Sequence, residues 1–267
     1  MYPVLFETSF FTADLYSILW LIALSLAMYW SVRRFSLYFY ELDEELEARR
    51  IISWAFVAML FGAALIKPIL HINYYIKHPG EIFINGGLSE IGAVGGAFLC
   101  AFLMCRKNKR ISFQKLCDIA ALPAMLAIAI GRWGCFLNGC CVGIISSSPF
   151  ALHFPKDAAN VCRHPTQIYY SLFAFIALIF LIFIERKIIK LNLNKDKNNY
   201  HAVIAPLTLI LYGVMRFSID ILREQVPGPS SMFIDLPLQP NILILLIALP
   251  FEIYWLIKSL KALKILK

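Results

Sequence analysis

Seven stretches of mostly apolar residues dominate this chain, at about 13–32, 52–72, 88–105, 115–132, 166–184, 202–222 and 240–258. A helix needs about 20 such residues to cross the hydrocarbon of a bilayer, and only a helix or a closed barrel satisfies its own backbone there. The expected fold is an all-α membrane protein, a bundle of about seven transmembrane helices forming one polytopic domain over residues 1–267. Composition agrees: 60% of residues are hydrophobic, only 16% are charged and the mean hydropathy is +0.70. Soluble domains are about 25% charged. The net charge of +8 does not point to nucleic acid, because Lys and Arg sit in short segments between apolar runs.

Those segments alternate. Residues 33–50, 106–110 and 185–197 and the tail from Lys258 are rich in Lys and Arg, whereas 73–87, 133–165 and 223–239 are poorer for their length. Cytoplasmic loops carry the excess of positive charge, which puts the N-terminus outside, the C-terminus in the cytoplasm and a small head loop, about 133–165, outside. No cleavable signal peptide is expected, since the first apolar run begins near Leu15 after Glu7, Thr8 and Asp14, without a basic start.

The unusual chemistry collects on the outer side. Gly131-Arg132-Trp133-Gly134-Cys135-Phe136-Leu137-Asn138-Gly139-Cys140-Cys141-Val142-Gly143 closes the fourth run. Glycines at that density let a backbone turn or approach a ligand closely. An arginine there offers phosphate a fork at headgroup depth. At the end of the sixth run and one residue past it, Arg216, Asp220 and Arg223 fall on one helix face. Charges inside a spanning segment are costly and functional by default. Tyr16 and Glu90 start the first and third runs at the same edge.

These motifs resemble the prolipoprotein diacylglyceryl transferase family, bacterial inner-membrane enzymes that move diacylglyceryl from phosphatidylglycerol to a lipobox cysteine. The strongest match is Gly131-Arg132-x-Gly134-x-Phe136-x-Asn138-Gly139, ending at Gly143. Next come His164-Pro165-Thr166-Gln167-Ile168-Tyr169 and Arg216-Phe217-x-x-Asp220-x-x-Arg223; Asn85-Gly86-Gly87-Leu88-Ser89, Tyr16 and Gln239 are weaker. The resemblance implies Arg132 and Arg216 as essential arginines. It implies Tyr16, Gly131, Asn138, Gly143, Gln167, Asp220, Arg223 and Gln239 around the substrate. The chain departs from the pattern where Glu90-Ile91 replaces an aromatic and a histidine, and Ala64 stands for an arginine. Asp220 stands for a glutamate, Cys135 for an asparagine, and Cys140-Cys141 for a glutamate and an apolar or aromatic residue.

The implied reaction is attack of a cysteine thiolate on a glyceryl carbon, with glycerol phosphate leaving and a thioether formed. It needs cations on the phosphate, a role for Arg132 and Arg216, and a way to make the thiolate. Glu90 and His164 are the candidate bases; their plain alternatives are a helix-start carboxylate and a turn-fixing hydrogen bonder. Cys135, Cys140, Cys141 and Cys162 admit three readings: a disulfide, packed thiols or a metal site. An oxidising exterior favours a bridge from Cys140 or Cys141 to Cys162, worth about 3 kcal/mol for a loop of about 20 residues. Metal is not expected, because the spacing lacks paired Cys-x2-Cys, and no cofactor is required. The expected partners are phosphatidylglycerol or a related phospholipid, a prolipoprotein or other thiol acceptor, and the bilayer. The alternatives are a paralogous transferase with another acceptor or donor and a non-catalytic lipid-binding or transport protein. The latter would show inverted repeats with broken spans, which are not found.

Overall fold

The computed structural model describes residues 4–7, 12–39, 41–70, 72–77, 89–108, 110–155, 157–193, 201–224, 240–263 and 265. Among them seven helices are 17 residues or longer: α1 (Leu15–Tyr38), α2 (Leu42–Leu70), α4 (Glu90–Lys107), α5 (Phe113–Asn138), α6 (Thr166–Leu193), α7 (Ile204–Asp220) and α8 (Pro240–Ala262). A short α3 covers Ile72–Lys77. Among the described residues strand is confined to two small antiparallel pairs, β1 (Val4–Glu7) with β2 (Thr12–Asp14) and β3 (Leu152–His153) with β4 (Cys162–Arg163). The long helices stand where the seven apolar runs were expected, and the protein is an all-α membrane protein. Four of them contain segments long and apolar enough to span by length and composition: Leu15–Tyr38, Leu42–Ile66, Phe113–Asn138 and Thr166–Ile188.

Helix α2 begins ten residues before the apolar run at 52. Leu42–Ile51 is mostly strong helix formers (Leu, Glu, Ala and Arg), with acids in the first turn where the dipole favours them and an Arg49–Glu45 pair one turn apart. Along α6, Leu172, Phe175, Ile176, Ile179, Phe180 and Phe183 are exposed. An apolar stripe left outside at helical spacing is what a hydrocarbon solvent permits and water does not.

The chain divides into two compact units. The smaller comprises Phe35–Leu116 and Val226–Ile244. In it α2 and α4 meet backbone to backbone: a Cβ at Gly62 would stand 2.2 Å from the Gly92 carbonyl oxygen, and one at Gly96 would stand 2.4 Å from that of Ala58. This is small-xxx-small packing, written Ala58-x3-Gly62 on one helix and Gly92-x3-Gly96 on the other. Ser89 caps α4, its hydroxyl accepting from the Gly92 N–H at 3.2 Å.

The larger unit comprises Met1–Arg34, Cys117–Gln225 and Leu245–Lys267 and holds the main core. Leu122, Met125 and Ala129 of α5, Tyr170, Ala174 and Leu181 of α6, and Ile204, Met215 and Ile219 of α7 pack together, with Trp30 and Trp255 against them. Two buried polar joints set these helices in register. Asp118 of α5 accepts from the backbone N–H of Ala205 at 2.6 Å and of Val203 at 3.3 Å, satisfying donors that the start of α7 leaves open. Arg34 of α1 forks onto Glu185 of α6 and also donates to the Ile119 and Asp118 carbonyls, each at 3.0 Å.

Candidate active site

The glycine-cysteine stretch becomes a helix end and a tight turn. The Cys140 N–H returns to the Cys135 carbonyl and the Gly139 N–H to that of Phe136, each at 3.1 Å. This is the Schellman pattern, with Gly139 at φ 66° in the left-handed region that glycine adopts freely. Cys141 also has positive φ, at 59°, which costs a side-chain-bearing residue about 1–2 kcal/mol. Two side chains from the start of α6 hold it there. Thr166 Oγ1 donates to the Cys141 carbonyl at 2.5 Å, and Gln167 Nε2 to that of Cys140 at 2.6 Å. The Sγ atoms of Cys135, Cys140 and Cys141 thereby lie within 4.8 Å of one another.

The expected bridge to Cys162 is not formed, since all seven cysteines are free thiols. The turn directs Cys140 and Cys141 back toward Cys135, while Cys162 is paired in β4 with His153. The Cys141 thiol is held well below the usual thiol range, first by the S–H groups of Cys135 and Cys140 and then by Arg223 and Arg132. Cys140 is pushed up by its contacts with Cys135 and Cys141 and by burial.

Beside the turn runs a buried charged network centred on Tyr170, which is fully buried. The Arg132 guanidinium lies 4.2 Å from the centre of the Tyr170 ring and that of Arg216 lies 5.7 Å from it. The Tyr170 hydroxyl donates to Asp220 Oδ1 and accepts from Arg216 Nη1 at 3.5 Å. Arg216 Nε stands 3.5 Å from Asp220 Oδ2, and Arg223 Nη1 stands 3.8 Å from Oδ1. Arg223 then reaches the turn, Nη2 donating to Cys141 Sγ at 3.3 Å. Two guanidinium groups at the Asp220 carboxylate and a third, that of Arg132, over the Tyr170 ring leave this network cationic, as a site for a phosphodiester must be.

A small platform holds the end of the network at Arg223. Gly143 bridges Arg223 on one side, and Ile145 bridges Arg163 on the other. Chain and neighbours touch so closely that a Cβ at Gly143 would lie 2.6 Å from the His164 carbonyl oxygen and 2.7 Å from that of Leu222. Arg163 fastens the layers, binding Asp157 at 2.9 Å, Glu224 at 2.8 Å and the Gly143 carbonyl at 3.3 Å.

Other expected site residues fall out differently. Gly131 packs α5 against α1, where a Cβ would meet the Trp20 ring at 2.7 Å, and Gly134 sits on the Tyr16 backbone. That contact brings Tyr16 within the electrostatic reach of Arg132 and the three cysteines. Asn138 is the last residue of α5. His164 Nδ1 is engaged by the Tyr169 hydroxyl at 3.1 Å, which fits its turn-fixing alternative. Glu90 is the first residue of α4; its side chain, residues 85–88 and Gln239 lie outside the described residues. Sequence reasoning missed Tyr170, whose signal was its place one helical turn beyond Thr166 and Gln167. It also left Arg163 unassigned.

Fold and site define a class: a polytopic helical membrane protein with a buried arginine–tyrosine–carboxylate network beside a cysteine-rich turn. Residues 3–257 match the family described as prolipoprotein diacylglyceryl transferase. The chain belongs to that family. It is 34% identical over 234 residues to the phosphatidylglycerol–prolipoprotein diacylglyceryl transferase of Clostridium novyi, covering 84% of each chain. To the protein of the same name from Ehrlichia ruminantium it is 28% identical over 228 residues, 83% of each. To that from Finegoldia magna it is 32% identical over 175 residues, and this match spans 65% of each chain.

Proposed function

We propose that this protein transfers diacylglyceryl from phosphatidylglycerol to a cysteine thiol at the outer leaflet of a bacterial inner membrane, N-terminus outside and C-terminus in the cytoplasm. The observation that carries the reading is the pair of buried arginines whose guanidinium groups both lie over the ring of Tyr170, in the motifs on which the family resemblance rests. In this reading Arg132 and Arg216 bind the phosphodiester. Asp220 and Tyr170 hold Arg216 in position, and Arg223 links that network to the cysteine turn. As the acceptor sulfur bonds to the glyceryl carbon, the carbon–oxygen bond to phosphate breaks. The leaving oxygen takes the electron pair beside two guanidinium groups that were fixed before the reaction began. The products are a thioether and glycerol phosphate.

The test is thioether lipidation of a lipobox peptide by purified protein with phosphatidylglycerol. Arg132→Ala and Arg216→Ala should each abolish it, and full activity in both would remove the mechanism. Cys135, Cys140 and Cys141, standing where the resemblance expects an asparagine, a glutamate and an apolar or aromatic residue, favour one second reading: a transferase with a different thiol acceptor. Phosphatidylglycerol turnover with other thiols, but not with a lipobox peptide, would select it.

A further inference from the structure

The thiolate that the proposed reaction requires has no evident source in the arginine network, and the Nδ1 of His164 is held by the Tyr169 hydroxyl. Resting on the transferase reading, we propose that Cys135, Cys140 and Cys141 form a three-thiolate site for Zn(II). Its fourth position is open to the sulfur of the acceptor cysteine. Their Sγ atoms lie within 4.8 Å of one another. Zn–S bonds of about 2.3 Å place the sulfurs of a tetrahedral site about 3.8 Å apart. Small rotations about the Cα–Cβ bonds close that difference.

The backbone is built to hold this arrangement. Cys135 projects from the last turn of α5, and the Schellman turn brings Cys140 and Cys141 back beside it. The left-handed φ of Cys141 is an unfavourable conformation for a residue with a side chain, maintained here by hydrogen bonds from α6. A glycine would meet the conformational demand at no cost, so the side chain itself is what the position retains.

The donor set selects the ion. Three sulfurs favour a soft or borderline cation over Mg(II) or Ca(II), and three protein ligands with one free position are the pattern of catalytic rather than structural zinc. Three thiolates and Zn(II) sum to one negative charge. Arg223, donating to Cys141 Sγ at 3.3 Å, is placed as the outer-shell partner that orients a metal ligand.

Zinc then supplies the missing thiolate. The acceptor S–H loses its proton to water as the sulfur coordinates the metal. A lone pair of the bound sulfur attacks the glyceryl carbon, the carbon–oxygen bond breaks toward phosphate, and the neutral thioether, a poor ligand, leaves the metal. No electrons are exchanged with any other reagent.

The experiment uses full-length protein in detergent, with reductant, and Zn(II) alone in competition with a chromophoric chelator. One equivalent should bind. Cys135→Ser, Cys140→Ser and Cys141→Ser should each weaken binding at least tenfold, and Cys162→Ser should not. In wild-type protein Zn(II) should shield those three thiols, and not Cys162, from alkylation; this reading does not depend on any variant folding. Co(II)-substituted protein should show thiolate charge-transfer bands that shift when a cysteine peptide is added without lipid, and not with its Cys→Ser form. Binding unchanged in the triple serine variant, or a cobalt spectrum indifferent to the peptide thiol, would overturn the inference. Metal-free protein that lipidates peptide at the full rate would also overturn it while leaving the transferase reading intact. Zinc and peptide binding without any lipidation would have the opposite meaning: the site stands and the transferase reading falls.

Discussion

Replacing Tyr170 with phenylalanine separates the two things this residue does. The ring stays, with Arg132 at 4.2 Å and Arg216 at 5.7 Å. The hydroxyl goes, and with it the bond to Asp220 and the contact with Arg216. Among the described residues the other charged partners of Asp220 are Arg216 at 3.5 Å and Arg223 at 3.8 Å, both too long to stand in for the hydroxyl. A hydrogen bond to a charged group contributes about 1.5–3 kcal/mol net. At about 1.4 kcal/mol per decade, Tyr170→Phe should lower kcat/KM by roughly 10- to 150-fold. Tyr170→Leu also removes the ring that two desolvated cations lie over, at about 2 kcal/mol or more, and should fall about a further 30-fold. Initial rates of peptide lipidation in mixed micelles of varied phosphatidylglycerol content measure both. Thermal unfolding of each variant provides the folded fraction by which the rates are corrected. A phenylalanine variant within twofold of wild type, per folded molecule, would refute the claim that the hydroxyl organises Asp220 and Arg216.

Arg216→Lys keeps the charge but loses the planar fork that meets phosphate oxygens in pairs. It should retain phosphatidylglycerol binding while kcat falls about 100-fold, the scale for one lost transition-state donor; an unchanged kcat would count against bidentate binding. Gly143→Ala forces a methyl against two backbone oxygens at 2.6 and 2.7 Å. It should destabilise the platform by about 1–3 kcal/mol, read as faster proteolysis within 142–165, whereas unchanged cleavage would show that the layers yield cheaply. Arg34→Ala removes the guanidinium that forks onto buried Glu185 and should lower stability by about 3–5 kcal/mol, with the Arg34→Met, Glu185→Met double variant recovering much of it. Equal loss in single and double variants, measured by detergent unfolding, would argue against that pairing.

The helices were legible because the length and apolarity of a spanning helix are set by the bilayer, so seven runs could be read as seven helices. Arg132, Arg216, Asp220 and Arg223 were legible for the same reason, since charges in or beside such runs stand out. Tyr170 was not, because a tyrosine among apolar residues carries no compositional signal until its neighbours across α5 and α7 are known. Gly131 was read toward a ligand, yet it seats Trp20; a glycine reports close approach without saying of what. The cysteines were read against the spacing of a closed zinc site and the redox of the exterior. Neither contains the turn at Gly139 and Cys141 that decides which sulfurs meet. The ten-residue extension of α2 was missed because hydropathy marks the span and says nothing of helix continued beyond it.

The most direct measurement is mass spectrometry of a lipobox cysteine peptide after incubation with the purified protein and phosphatidylglycerol. The expected result is one diacylglyceryl group on sulfur, resistant to neutral hydroxylamine as a thioether and not a thioester is, with one glycerol phosphate released per peptide. Neither product should form with Arg132→Ala or Arg216→Ala. Unmodified peptide with the wild-type protein, or full modification by both arginine variants, would contradict the transfer chemistry assigned to this site.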